Sequence, residues 1–188
     1  MIDSILNYLN NGGAITFIVL GSLSIYLILT IWIFSYKYMS LNSLVNNEKK
    51  SLESLISRGT GINPLSSLSR CVSSDGRLSK EILSACEISL IREASTGISW
   101  MSIVASTSPF IGLFGTVVGI LESFAKFSSH SKVSFSVIAP AISEALVATA
   151  AGIFVAIFAY TFHQLLTRKI YEFDTYLKAQ TKILLAKA

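Results

Sequence analysis

An all-α polytopic membrane protein with three transmembrane helices is the fold class this sequence predicts, on three observations. Of 188 residues, 52% are hydrophobic and only 14% charged, too apolar for an ordinary soluble domain of that length. Runs with almost no charge, each long enough to cross a bilayer, occur three times. Lys and Arg concentrate in two of the four segments outside these runs, which orients the spans.

Residues 1–13 contain no Lys or Arg, and no small-residue cleavage site follows the first apolar run. That run is therefore expected to be a retained anchor rather than a signal peptide. Ala14–Phe34 is 21 residues without charge, about 30 Å as a helix, and the first transmembrane helix is placed at 14–36. Trp32, Phe34, Tyr36 and Tyr38 cluster at its end beside Lys37, as expected at a headgroup layer.

Residues 37–96 read as a helical cytoplasmic domain. Leu41, Leu44, Val45, Glu48, Leu52, Leu55 and Ile56 follow amphipathic spacing, "RGTGINP" (58–64) interrupts them, and "SSDG" (73–76) marks a turn. A further helix from Arg77 puts Leu78, Ile82, Ala85, Ser89 and Arg92 on one face.

The second span is placed at 97–121 and the third at 137–163, with helices 2 and 3 extending into the cytoplasm. The loop between them, 122–136, is short, so the two are antiparallel neighbours. Lys and Arg number none in the N-terminal tail, eight in 37–98, two in the loop and five after 167. The positive-inside rule then puts residues 1–13 and 122–136 in the periplasm and residues 164–188 in the cytoplasm. In that last segment Leu166, Ile170, Phe173, Leu177 and Leu184 form a helical stripe opposite Arg168, Lys169, Glu172, Asp174, Lys178 and Lys182, which predicts a stalk packed against neighbours.

Catalysis finds no motif here: no G-x-S-x-G, no H-E-x-x-H and no P-loop. Neither a metal nor a cofactor is expected. Cys71 and Cys86 lack C-x-x-C or His partner spacing, supporting neither a zinc site nor a disulfide framework, and both are expected as inert thiols. His130 is expected in solvent and His163 at the inner interface. The net charge of +4 is spread without the clustered, aromatic-interleaved pattern that nucleic acid requires.

The spans do offer small residues at fourfold spacing. Ser108, Gly112, Thr116 and Gly119 form a column in the second, with Gly115 and Gly119 as G-x-x-x-G; Ala141, Ala145, Thr149, Gly152 and Ala156 form another in the third. Such columns let helix backbones approach closely and hydroxyls bond across the contact. Two readings stay open: tight helix packing, or a central cavity in an oligomer lined by Thr116 and Thr149. Glu144 lies inside the third run, roughly 140° round the helix from Thr149. A carboxylate at that depth costs on the order of 3 kcal/mol, and this one is either a protonated or hydroxyl-bonded structural residue or part of an ion path.

"SPFIGLFGTVVGILESF" (108–124) and "VIAPAISEALVATAAGIFVAIFAY" (137–160), approached by "IREASTGISWMSIVA" (91–105), resemble the ExbB/TolQ/MotA family of proton-driven inner-membrane motors, the ExbB and TolQ branch in particular. The resemblance implies a homo-pentamer in the bacterial inner membrane, enclosing transmembrane helices of an ExbD- or TolR-like single-span partner whose aspartate takes up the proton. It further implies a TonB- or TolA-like protein that receives the movement. By motif position Thr116 and Thr149 face the pore, with Glu144 near it. Ser108 stands where the family has alanine before Pro109, and Ile157-Phe158-Ala159 where it has I-P-A, which removes one cause of a kink in the third span. An ExbB-like role, a TolQ-like role in envelope maintenance, a non-conducting scaffold for the partner and a self-contained ion channel are the alternatives.

Overall fold

The computed structural model describes residues 14–58, 63–72, 80–127 and 135–187. Of these, 94% are helical with no strand, and three helices are long and apolar enough to cross a membrane. The expected tail 1–13, the turn at 73–76, part of the 58–64 break and the middle of the 122–136 loop with His130 lie outside the described residues. The helices are α1 (Ala14–Arg58), α2 (Ser69–Val72), α3 (Lys80–Ser95), α4 (Ser99–Phe127) and α5 (Phe135–Lys187).

At about 1.5 Å per residue, the 45 residues of α1 and the 53 of α5 far exceed the roughly 30 Å of a hydrocarbon core. Both therefore continue well past the bilayer. No Gly or Pro occurs between Ser22 and Arg58, so nothing ends α1 at the expected domain boundary of residue 36. The second span behaves differently. Gly97 adopts φ +84°, the left-handed conformation that suits a helix C-terminus, and Ile98 N–H donates to Ser95 O at 3.2 Å. The extension expected of helix 2 is thus a separate helix, α3. In α5 the stretch 157–164, where the family proline is missing, stays helical.

The described residues fall into two compact units. The first takes α1 to Trp32 together with 100–127 and 135–161. Val19 and Leu23 of α1 pack with Ala148 and Val155 of α5, flanked by Tyr26, Leu27, Val104, Ile111 and Ala151. The opposite side of α4 presents Phe110, Phe114, Val117, Leu121 and Phe124, all exposed, an apolar stripe that no other part of the unit covers.

The second unit combines 33–58, 63–72, 80–99 and 162–187. Leu41, Val45 and Leu55 of α1 are buried, as are Leu166, Phe173, Leu177 and Leu184 of α5, and Phe34 stacks on Phe162 at 4.1 Å. Ile56, expected on the amphipathic stripe of α1, points outward. α3 packs through Leu83, Cys86, Leu90 and Ala94, while Ile82, Ala85, Ser89 and Arg92, expected to share a face, form the exposed one. The polar side chains on that second face keep it in solvent, and the apolar stripe one position further on is buried.

A buried carboxylate organises this unit. Glu48 is wholly buried. Its Oε1 accepts from Ser67 N–H at 2.6 Å, and its Oε2 accepts from Ser66 Oγ at 2.7 Å and from Gln180 Nε2 at 2.8 Å. Gln180, also wholly buried, takes a hydrogen bond from Ser51 Oγ at 2.9 Å on Oε1. One carboxylate thus fastens α1, the 63–72 segment and α5 together, and its desolvation is offset by three donors, two of them neutral side chains and one the backbone. On α3, partial burial pushes the Glu87 carboxyl above its usual range, with Lys178 opposing the shift.

Cys71 and Cys86 are disulfide-paired, with Cα atoms 6.3 Å apart. This corrects the expectation of two inert thiols, which rested on spacing in sequence. The contact arises because α2 returns against the buried face of α3. The bond closes a loop of 15 residues, worth about 3 kcal/mol in chain-entropy terms. Adding reductant to the purified protein is expected to free two thiols for alkylation and to lower the melting temperature of this unit.

Candidate functional site: the hydroxyl pair between two spans

In the first unit, small residues bring α4 and α5 into backbone contact. A Cβ on Gly112 would lie 2.7 Å from Ala148 O and 3.0 Å from Thr149 Cα, and one on Gly152 would lie 2.5 Å from Ser108 O. Only glycine fits at either place. Gly115 meets Ala148 Cβ and the Val19 side chain, and Gly119 meets Ala145 Cβ. Ser108, Ala145 and Ala148 are buried, and Ser108 Oγ donates to Val104 O at 2.8 Å within its own helix. The approach is closest at Gly112 and Gly152, where lipid-embedded helices gain dispersion contact that larger side chains would prevent.

Thr116 and Thr149 meet one turn from that crossing, hydroxyl to hydroxyl. Thr116 Oγ1 is also 3.1 Å from Ala145 O and 3.3 Å from Gly112 O, and Thr149 Oγ1 is 3.2 Å from Gly112 O. Each hydroxyl has a single proton, so two arrangements satisfy the set. Either Thr116 donates to Thr149 and Thr149 to Gly112 O, or Thr149 donates to Thr116 and Thr116 to a carbonyl. Reversing the chain needs only rotation of two hydroxyls.

Five other hydroxyls of this unit, those of Ser22, Ser106, Thr107, Ser123 and Thr161, bond back to carbonyls of their own helix. The threonine pair reaches across helices. Thr116 is buried and Thr149 half-buried, so one member keeps a face away from the contact. Glu144 is half-buried on α5, one residue before Ala145, and has interactions of its own; the hydrogen bonds described for the threonine pair do not include it.

The site thus unites residues the sequence separates by 33 positions. Ala148 and Val19 complete it, and the sequence reading passed over both. Ala148 was legible, since it stands three residues after Ala145 and four before Gly152 on the small face. Val19 was not, because α1 is apolar on every side there and polarity cannot mark the side that packs. Among the described residues no group of His, Cys, Asp and Glu is placed to hold a metal ion.

Residues 47–179 match the MotA/TolQ/ExbB proton channel family. A Helicobacter pylori (strain ATCC 700392 / 26695) protein named for biopolymer transport as ExbB-like 1 is 42% identical over 189 aligned positions, covering all of both chains. The biopolymer transport protein ExbB of Pseudomonas putida is 42% identical over 79 residues, 42% of this chain and 24% of that protein. The Tol-Pal system protein TolQ of Haemophilus influenzae is 45% identical over 67 residues, 36% of this chain and 29% of that protein.

Proposed function

The chain belongs to the MotA/TolQ/ExbB proton channel family, and we propose that it acts as an ExbB-like subunit of an inner-membrane motor that uses proton flow to energise TonB-dependent transport. The hydroxyl pair carries this reading. Hydroxyls joined across spans serve helix packing as well; a proton path in addition makes use of a hydrogen-bond chain that can reverse, beside the half-buried Thr149.

In the proposed assembly five copies surround the transmembrane helices of an ExbD-like partner. The partner's carboxylate takes up and releases the proton, Thr149 presents its open face to the path with Thr116 behind it, and Glu144 sets the local field. The exposed stripe from Phe110 to Phe124 supplies surface for neighbouring subunits or lipid. One charge crossing 100 mV releases about 2.3 kcal/mol, enough to drive a mechanical step that a TonB-like protein would carry outward. Charge distribution along the sequence supports a periplasmic N-terminus and a cytoplasmic C-terminus.

The ExbB-like name on a relative of full length supports the TonB role. The shorter TolQ match supports the second reading, envelope maintenance by a Tol-Pal motor. Deleting the gene and scoring siderophore- or nickel-dependent growth beside detergent sensitivity separates the two. Loss of uptake is expected, while a leaky envelope with normal uptake would favour the TolQ-like role. Complementation with Glu144→Ala at normal protein level is expected to restore less than half of the uptake, and full restoration would return Glu144 to a structural part.

A further inference from the structure

The second unit contains a cavity of about 210 Å³ that the proposed motor does not use. It is bounded by the part of α1 just past the uncharged run, the 63–72 segment, α3 and α5. Tyr36, Lys37, Ser40, Arg70 and Glu93 supply its polar wall, and Leu44, Leu90 and Phe173 part of its apolar one.

Two cations against one carboxylate leave the wall positive. Among the described residues neither Lys37 nor Arg70 forms an ion pair, whereas Lys169 and Lys178 on the outer face of α5 each have a carboxylate at 2.9 Å or less. The placement is specific: the left-handed Gly97 turn leaves the Lys37 stem 3.7 Å from where a Cβ would stand. Lys37 directly follows the uncharged run Ala14–Tyr36 and sits among Trp32, Tyr36 and Tyr38, the aromatic signature of headgroup depth. The volume falls short of the roughly 300–1,000 Å³ of sites for drug-sized ligands, so it suits a phosphate and a few attached atoms rather than a cofactor.

We propose that this cavity binds the anionic headgroup of a membrane phospholipid, its phosphodiester held by the Arg70 fork and the Lys37 ammonium and its acyl chains in the adjoining leaflet. Arginine matches phosphate oxygens in a planar, two-point contact, and lysine adds a point charge. A free phosphate ion shares that chemistry, but the apolar wall and the position at the end of a span favour the lipid. Glu93 opposes the anion and limits affinity.

The test titrates the detergent-solubilised full chain with dioleoyl-phosphatidylglycerol or dioleoyl-phosphatidylcholine and counts bound lipid by native mass spectrometry. Phosphatidylglycerol is expected to bind at least tenfold more tightly than phosphatidylcholine. Replacing both cations (Lys37→Gln with Arg70→Gln) is expected to weaken it roughly 10- to 30-fold, and Glu93→Gln to tighten it several-fold. The gain from Glu93→Gln cannot arise from damage to the fold, so it decides the matter even if the double variant misfolds. Equal binding of the two lipids, unchanged binding by a folded double variant, or no gain from Glu93→Gln would overturn the proposal. Displacement of phosphatidylglycerol by millimolar inorganic phosphate would overturn it too, by making this a free-anion site.

Discussion

Replacing Gly152 by alanine is expected to destabilise the membrane-spanning unit by about 3 kcal/mol or more and to deplete the protein from membranes. The added methyl group would sit 2.5 Å from Ser108 O, with Gly112 Cα at 3.0 Å. Both atoms belong to backbone, so no side chain can swing aside; α4 and α5 must separate, and the Thr116–Thr149 contact separates with them. Gly21→Ala is the matched control, since nothing lies within 4 Å of its Cβ position and alanine favours the helix by about 1 kcal/mol. Comparing the thermal melting of the two purified variants checks the prediction. Similar melting temperatures would mean that the helices do not cross at these glycines.

Loss of the Glu48 side chain is expected to be nearly as damaging to the other unit. Glu48→Ala leaves Ser67 N–H without its acceptor, reduces Ser66 Oγ to a 3.3 Å contact with Gln180 Oε1, and leaves Gln180 Nε2 only the backbone O of residue 48 at 3.1 Å, in a place where Glu48, Ser66 and Ser67 are all buried. An orphaned group costs roughly 1–3 kcal/mol, so a total of about 3 kcal/mol is expected after partial relaxation. Glu48→Gln should rescue poorly despite its matching shape, because it replaces one acceptor oxygen with an NH₂ donor facing donors that already converge there. The readout is limited proteolysis at the exposed Lys49 and Lys50 beside it, with faster cleavage in both variants. A Gln variant as resistant as the native protein would show that charge is irrelevant to the cluster.

These two sites differ in how far the sequence reveals them. The α4–α5 crossing is legible because glycine and alanine at fourfold spacing in an apolar run have few other uses, and the residues sequence singled out as packing positions, Ser108, Gly112, Gly115, Gly119, Ala145 and Gly152, lie along it. Glu48 was visible only as one member of an amphipathic stripe. Its partners, Ser66 and Gln180, stand 18 and 132 positions away, and neither serine nor glutamine advertises a buried contact by pattern. The same holds for the disulfide, which depends on α2 returning to α3. Continuity of α1 to Arg58 was legible in the absence of Gly and Pro; the change from apolar to amphipathic character falls near where the helix passes from the first compact unit to the second, without ending it.

If the threonine pair belongs to a proton path, isosteric removal of its hydroxyls must slow proton entry. The complex co-purified with the chain from native membranes, reconstituted in vesicles with an imposed pH gradient and membrane potential, should acidify an internal dye at a measurable rate. With Thr116→Val and Thr149→Val together, shape is kept and the hydrogen-bond chain is lost; proton entry is expected to fall at least tenfold while the complex elutes and melts like the native one. Native flux through a complex that retains both valines would contradict the account and leave the pair as packing alone.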